Sequence, residues 1–355
     1  MIQISVKTFT EANLESFLKM SELEYGLTIS TNFDHIRWKY LGSPFGGSYY
    51  VILLENDEVV GRVLAQPRTL CVASKVLKAA LITDLLINQE HRSPVNFINI
   101  TKACSNIASF DLVYHTSNER TFSLYSKLLR FPNPFSLRGY GFPVRLAGFF
   151  TSIIGLRIDV IDWLTAPLRW LLEVIACVVN FIAKLNIVQR GISDDELGTI
   201  CIKCLRKSGP HFVRTNAFLK WRFGDAPLWP ATVYRIDRKG KFLGYVVTRK
   251  IKLGCLNYLV LMDFILDPDT PLIVQIALRL WLIRKTITSK VDAFFTMVNP
   301  SSAIARKCVG FPFASIPNRL LPHATPIFVR ACSSDNKEFE TTRSIHLTLA
   351  DLDYF

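Results

Sequence analysis

Laid over itself, the chain repeats. Trp38-Lys39-Tyr40 falls on Trp221-Arg222-Phe223 and Pro44 on Pro227, both at an offset of 183 residues, and the same offset carries Val60-Gly61-Arg62 onto Leu243-Gly244-Tyr245. An acid in an apolar run follows in each half: Thr83-Asp84-Leu85-Leu86-Ile87 answers Met262-Asp263-Phe264-Ile265 at an offset of 179. Farther on, Asn118 answers Asn299 and Phe131 answers Phe311, at offsets of 181 and 180. Matches that keep order and spacing over about a hundred residues are a duplication, with small deletions accounting for the slip. A duplicated chain has few folds open to it, because one unit must serve twice. The repeat divides the chain into a first unit over residues 1–145, a connector over 146–190, a second unit over 191–331 and a tail over 332–355.

Each unit reads as helices, a hairpin, then strand, helix and strand. The first opens on a strand at Ile2 to Lys7. Thr10 and Thr31 are expected to cap helices whose apolar residues recur at three- and four-residue spacing, Leu14, Phe17 and Leu18 in one and Phe33, Ile36 and Tyr40 in the other. The β-rich runs Tyr49 to Leu54 and Val59 to Leu64 flank the polar turn Glu55-Asn56-Asp57-Glu58, which the second unit repeats at Asp237-Arg238-Lys239-Gly240. Helices are expected near Val95 to Ile107 and Leu272 to Thr286, and strands at Asp111 to His115 and Asp292 to Val298. Hairpins followed by a strand-helix-strand crossover build mixed sheets, so the fold class is α/β (α+β), two mixed-sheet domains joined by an apolar helical connector.

With 355 residues, 50% hydrophobic and 20% charged, the chain can bury two cores. It begins without a basic stretch leading into an apolar run, and the expected location is cytoplasmic. The cysteines fall largely in apolar runs and are expected to be mostly buried and reduced. Cys201-Ile202-Lys203-Cys204 has the spacing of half a zinc site, but no second pair or His cluster accompanies it, so no metal is expected. The net charge of +13 favours phosphate-bearing partners. Its Lys and Arg residues are dispersed and match no nucleic-acid-binding signature, which argues against nucleic acid as the partner.

The hairpin with Val60-Gly61-Arg62, the strand Thr83 to Ile87, the following Glu90-His91-Arg92, and Asn118 through Tyr125 to Phe131 resemble the successive motifs of the GNAT acetyltransferases. The two halves together resemble tandem GNAT-like bacterial proteins. In that family the central strands splay and coenzyme A enters the gap, its pyrophosphate on the N-terminus of the next helix, where unpaired N–H groups and the helix dipole bind anions. The resemblance implies an N-acyltransferase with acetyl-CoA or another acyl-CoA as donor, no metal, and a small-molecule amine as acceptor, for instance an amino sugar in envelope polysaccharide synthesis. It assigns cofactor contact to Leu86, Ile87, Arg92, Ser93, Val95, Asn96 and Asn118. The family signature Gln/Arg-x-x-Gly-x-Gly/Ala becomes Arg92-Ser93-Pro94-Val95-Asn96-Phe97, which keeps the Arg and loses both glycine positions. The second unit places Asp267 and Asp269 where phosphate would sit, which marks it as a non-catalytic partner.

Transfer to an amine needs a base for the nucleophile and an acid for the departing thiolate. The resemblance gives Tyr125 as the acid, where the second unit has Ala305, and Asp84 or Glu90 as the base. Each has a plain structural alternative: Tyr125 packing on the sheet, Asp84 bonded to nearby backbone, Glu90 solvated. His115 reads as a structural histidine. Trp38 and Trp221 recur in unequal units, so they read as architectural, each anchoring a helix on its own sheet. Two other functional classes stay open: a scaffold that kept the fold and lost the cofactor, and a transferase using aminoacyl-tRNA.

The connector, Leu146 to Leu185, contains Phe149-Phe150, Trp163 and Trp170, and is interrupted by Asp159, Asp162, Arg169, Glu173 and Lys184. A bilayer span needs about 20 predominantly apolar residues, and these charges argue against one. Leu164, Leu168, Leu171, Ile175, Val178 and Ile182 nevertheless form a helical stripe. The preferred reading is a helical pair covering a cleft between the sheets. The alternative is an interfacial helix that places the protein peripherally at the inner membrane face.

Overall fold

The computed structural model describes residues 2–72, 75–148, 159–191, 196–198, 207, 209–321 and 326–352. The first unit runs β1 (Gln3–Thr8), α1 (Leu14–Tyr25), α2 (Phe33–Leu41), β2 (Tyr49–Glu55), β3 (Glu58–Val72), β4 (Lys75–Ile87), α3 (Pro94–Ser105), β5 (Leu112–Thr116), α4 (Glu119–Ser123), β6 (Phe135–Ser136) and β7 (Arg138–Pro143). The connector supplies α5 (Asp159–Leu164), α6 (Ala166–Ala183) and β8 (Leu185–Arg190). The second unit follows as β9 (His211–Phe212), α7 (Asn216–Leu219), β10 (Thr232–Arg238), β11 (Lys241–Leu253), β12 (Leu256–Leu266), α8 (Leu272–Thr288), β13 (Ala293–Val298), α9 (Ala303–Cys308), β14 (Ala314–Ile316) and β15 (Pro326–Ala331).

The two hairpins owe their shape to their turn residues. Asn56 and Asp57 have φ of 50° and 65°, and Lys239 and Gly240 have φ of 50° and 76°. Two successive positive-φ residues make the turn whose twist matches a two-residue hairpin. At Gly244 the requirement is steric: its φ is 155°, and a Cβ there would collide with the Ile265 carbonyl on the neighbouring strand. The cap of α2 lies one residue beyond the expected one. Asn32 accepts from the His35 amide at 2.9 Å, while Thr31 closes a preceding single turn by bonding back to Thr28.

The sheets do not divide where the repeat divides. The first has the order β1-β2-β3-β4-β5-β15-β6, with β9 also paired to β3, and the second has the order β14-β7-β13-β12-β11-β10-β8. Each therefore holds a strand from the other half. β7 lies between β13 and β14, and β15 lies between β5 and β6. The end of the connector, β8, is the edge strand beside β10. This exchange moves residues 138–143 and 326–331 across the boundaries that sequence similarity suggests.

The same central parallel pair parts in both sheets. β4 and β5 are in register only from Ala79↔Leu112 to Leu81↔Tyr114, and β4 then runs on to Ile87 alone on that edge. β12 and β13 pair from Tyr258↔Ala293 to Val260↔Phe295, and β12 continues to Leu266.

One buried core spans the two units and includes Trp38, Trp221, Tyr114, Phe264 and the tail residues Leu347, Leu349, Ala350 and Leu352. Trp38 and Trp221 do not each anchor a helix on its own sheet. The Trp38 Nε1–H donates to the Trp221 carbonyl at 2.7 Å, the Trp221 Nε1–H donates to the Trp38 carbonyl at 3.0 Å, and the rings stack at 5.4 Å. Two equivalent positions exchange reciprocal bonds, so the repeated tryptophan links the two units. The connector also departs from the preferred reading: α6 lies along α8 of the second unit rather than over a cleft between the sheets. Among the described cysteines, Cys104 and Cys308 are buried, Cys71 and Cys332 are half-buried, and Cys177 and Cys255 are exposed. Cys201 and Cys204 lie outside the described residues.

Candidate active site

Where β4 leaves β5, a cleft of 390 Å³ opens in the first unit. Its walls are Leu85, Leu86 and Ile87 of β4, Arg92, Ser93, Pro94 and Phe97 at the start of α3, Glu24 and Tyr25 at the end of α1, and Leu124. Four of the cofactor residues expected from the sequence, Leu86, Ile87, Arg92 and Ser93, thus meet at one place. Val95 is exposed, and the Asn96 side chain donates to the His91 carbonyl at 2.8 Å. Asn118 caps α4, accepting from the Thr121 amide at 2.9 Å, and does not line the cleft.

The entrance to α3 is partly self-satisfied. Ser93 Oγ accepts from the Asn96 amide at 3.1 Å, the Phe97 amide bonds to the Ser93 carbonyl at 3.0 Å, and Pro94 has no N–H. Of the donors a helix start can offer an anion, these bonds leave the Ser93 and Val95 N–H groups. Arg92 donates from Nε to the Ile87 carbonyl at 2.8 Å and pairs with Glu24, so its charge is held at the cleft wall.

The acid β4 carries is at a bulge. Arg62 opposes Leu86 and Leu64 opposes Thr83, which leaves Asp84 and Leu85 together opposite Val63. Asp84 has φ of 49°, a left-handed conformation that costs a residue with a Cβ about 1 kcal/mol or more. Its carboxylate accepts from Lys39 Nζ at 2.7 Å and from the Tyr40 hydroxyl, and the side chain remains 23% exposed. Burial, then the negative charges of Asp84 and Glu24, hold the Tyr25 phenol above its ordinary pKa, so it stays protonated. Buried Arg62 ties α1 to β3 beside them, donating to the Phe17 carbonyl and to Ser21 Oγ.

Sequence reasoning did not find Tyr25, Lys39 or Tyr40. The last two stand in the repeated Trp38-Lys39-Tyr40 motif, in which the recurring tryptophan reads as architecture. Tyr25 ends an amphipathic helix and carries no signal. Tyr125, by contrast, is buried away from the cleft. Its ring packs on His115 at 3.7 Å and on Phe97 at 5.1 Å, and burial raises its phenol pKa. Glu90 is exposed on the single turn Gln89–His91 and does not line the cleft. His115 is enclosed, its pKa lowered to about 4 by burial, with Nδ1–H directed at the Thr116 carbonyl at 3.1 Å.

The second unit has a closed cleft, and its bulge falls one residue before the acid: Met262 is the extra residue, and Asp263 pairs regularly with Val247. Asp263 is fully buried and accepts from Arg214 Nε at 2.9 Å, the Tyr245 hydroxyl at 2.8 Å and Thr348 Oγ1 at 2.8 Å. Arg214 also makes two 2.6 Å bonds to Asp351. The tail runs between the parted strands. His346 Nε2–H donates to the Phe264 carbonyl at 3.1 Å, and Asn299 Nδ2 donates to the Arg343 and Ile345 carbonyls at 2.8 Å each. Asn299 is the counterpart of exposed Asn118. Where phosphate would sit, Asp269 pairs with Lys207 at 3.0 Å, and Lys307 donates to the Pro268 carbonyl. A larger apolar cavity of 610 Å³ lies at the opposite ends of β12 and β13, away from both acids. Among the described residues no group of three or more His, Cys, Asp or Glu could hold a metal ion.

A mixed sheet whose central parallel strands part beyond a short register, with a helix start beside the gap, is the fold of the GNAT acyltransferases, and this chain carries it twice. A GCN5-related N-acetyltransferase from Anabaena variabilis superposes with a TM-score of 0.62 at 11% identity, covering 94% of this chain and 74% of the other. A protein of unknown function from Enterococcus faecalis, a probable N-acyltransferase, gives 0.59 at 13% identity over 95% of this chain and 74% of its own. Saccharomyces cerevisiae N-myristoyltransferase with bound myristoyl-CoA gives 0.54 at 13% identity over 92% of this chain and 78% of its own. No family model matches the sequence. A search of the curated proteins finds no match.

Proposed function

We propose that the first unit is an N-acyltransferase that uses an acyl-coenzyme A donor and a small-molecule amine acceptor. The observation that carries this reading is the inequality of two equivalent acids: Asp84 is partly exposed on the strand whose next three residues, Leu85 to Ile87, line an open cleft, whereas Asp263 is sealed by Arg214 and the tail. The acceptor nitrogen attacks the thioester carbonyl, Asp84 takes its proton, the C–N bond forms and the C–S bond breaks. Tyr25, a protonated phenol on the cleft wall, replaces Tyr125 as the group that protonates the leaving thiolate. Lys39 and Tyr40 hold the Asp84 carboxylate in its strained position. Arg92 and the Val95 N–H supply the positive end for the pyrophosphate. The myristoyl-CoA held by the yeast neighbour supports a thioester of coenzyme A as the donor class, and the family resemblance supports an amino sugar as acceptor.

A non-catalytic binding role has one observation in its favour: Ser93 and Glu24 already occupy groups that a pyrophosphate needs. Calorimetric titration with acetyl-CoA, myristoyl-CoA and tRNA separates the readings. Binding of an acyl-CoA, weakened about tenfold or more by Arg92→Glu, supports the transferase. Asp84→Asn, which tolerates a left-handed backbone, should then keep that affinity while thiol release in the presence of amines falls about a hundredfold or more. Silence with both acyl-CoAs supports the binding role, and a response to tRNA alone points to aminoacyl-tRNA as donor.

A further inference from the structure

The polarity of α6 is inverted relative to a helix on a water-facing surface. Its charged and amide side chains, Arg169, Glu173 and Asn180, are all half-buried on the side toward the protein. Arg169 donates to the Asp162 carbonyl at 2.6 Å and to Thr165 Oγ1 at 3.0 Å, and Asn180 donates to the Ala176 carbonyl. Outward there is only apolar surface and one thiol: Leu168 is 57% exposed, Trp170 67%, Val178 50%, Phe181 85% and Ile182 63%, and Trp163 on α5 is 75% exposed. An amphipathic helix facing water shows the opposite arrangement, because exposed charge is solvated and buried charge must be satisfied internally. Such a face suits an apolar medium.

We propose that α5 and α6 form an in-plane membrane-binding surface and that the protein docks through it on an anionic lipid bilayer. Three observations select a bilayer over a second copy of the chain. An 18-residue helix is about 27 Å long, so a face about 10 Å wide offers roughly 300 Å², well short of the ~800 Å² per partner that a stable protein interface uses. The face carries Trp163 and Trp170 at one end and exposed Lys184 directly after the other, the residue types that settle at a lipid interface. The chain's charge of +13 complements an anionic leaflet. The helix has the length and hydropathy of a candidate span, but its lateral packing on α8, which itself contacts β13 and β8, holds it along the protein surface. That places its axis in the membrane plane.

The proposal is independent of the acyl-transfer chemistry, and so is its test. Full-length protein is centrifuged with sucrose-loaded vesicles of phosphatidylcholine alone and of phosphatidylcholine with phosphatidylglycerol, while tryptophan emission is recorded with and without a bromine-labelled lipid. Strong sedimentation with the anionic vesicles, a blue shift and bromine quenching are expected. The double variant Leu171→Glu/Val178→Glu, at outward positions, should keep its thermal midpoint and lose vesicle binding about tenfold or more. Wild-type protein that stays in the supernatant with both vesicles overturns the proposal. So does a wild-type dimer by light scattering that the double variant dissociates while vesicles bind neither protein.

Discussion

His115 and His346 are enclosed by the core, and burial lowers the pKa of each to about 4 from an ordinary value near 6.5. A carbonyl can only accept, so the bond to Phe264 fixes the proton of His346 on Nε2 and leaves Nδ1 to accept from Ser302 Oγ. Both rings are neutral in the folded chain and become charged in the unfolded chain as pH drops below about 6.5. The unfolded state then binds more protons, so stability rises with pH: it is fully present above about 6.5 and is lost as pH falls toward 4. Two shifts of this size amount to about 3 kcal/mol each by pH 4, and His211, lowered in the same direction, adds to the slope. Urea unfolding across this range should show the decline, and His115→Phe, which keeps a ring against Tyr125 and Phe328, should reduce the slope by about one proton. An unchanged slope in that variant would mean that His115 is not protonated on unfolding as described.

Elements defined by local rules were legible in the sequence. The Asn56-Asp57 and Lys239-Gly240 turns fix both hairpins, and α3 and α8 match their apolar periodicity to within a turn, because turn residues and spacing act over a few positions. Elements whose partners are distant were not. β7 and β15 look like closing strands of their own units, and the segment 343–352 looks like a tail outside both units until Arg214 and Asn299 are brought against it. The candidate site divides in the same way: Arg92, Leu86 and Ile87 follow from motif order, whereas Tyr25 comes to the wall of the cleft only through tertiary packing. The tryptophan pair gives this scale its experiment. Trp38→Phe or Trp221→Phe keeps a buried ring but deprives the opposite carbonyl of its donor, at a cost of about 1–3 kcal/mol each. Because the two bonds share one stacked pair, the double variant should deviate from additivity by about 0.5 kcal/mol or more in a double-mutant cycle. Additive costs would show two separate anchors.

Strand exchange ties together two units that the repeat marks as copies of one, so they are expected to unfold as one body. A fragment of residues 1–145 would contain β4 and β5 but lack β15, so β5 becomes an open edge and β6 loses its partner, while β7 projects with nothing to pair. A fragment of residues 146–355 would lack β7, which leaves β13 unpaired on one side, strands β14, and frees β15. Open edges of apolar strands recruit other chains, so each fragment expressed alone should aggregate. Expressed together, the fragments regain both exchanged strands, the reciprocal tryptophan bonds and the Tyr114 hydroxyl bond to the Asp351 carbonyl at 2.9 Å. They should copurify as a one-to-one complex with a single unfolding transition. The break between residues 145 and 146 precedes the connector and cuts no strand, so failure to associate cannot be assigned to damage within a sheet. A soluble fragment 1–145 that unfolds cooperatively near the full-length midpoint would show that β15 is dispensable to the first sheet, and that the exchange decorates two independent domains rather than joining them.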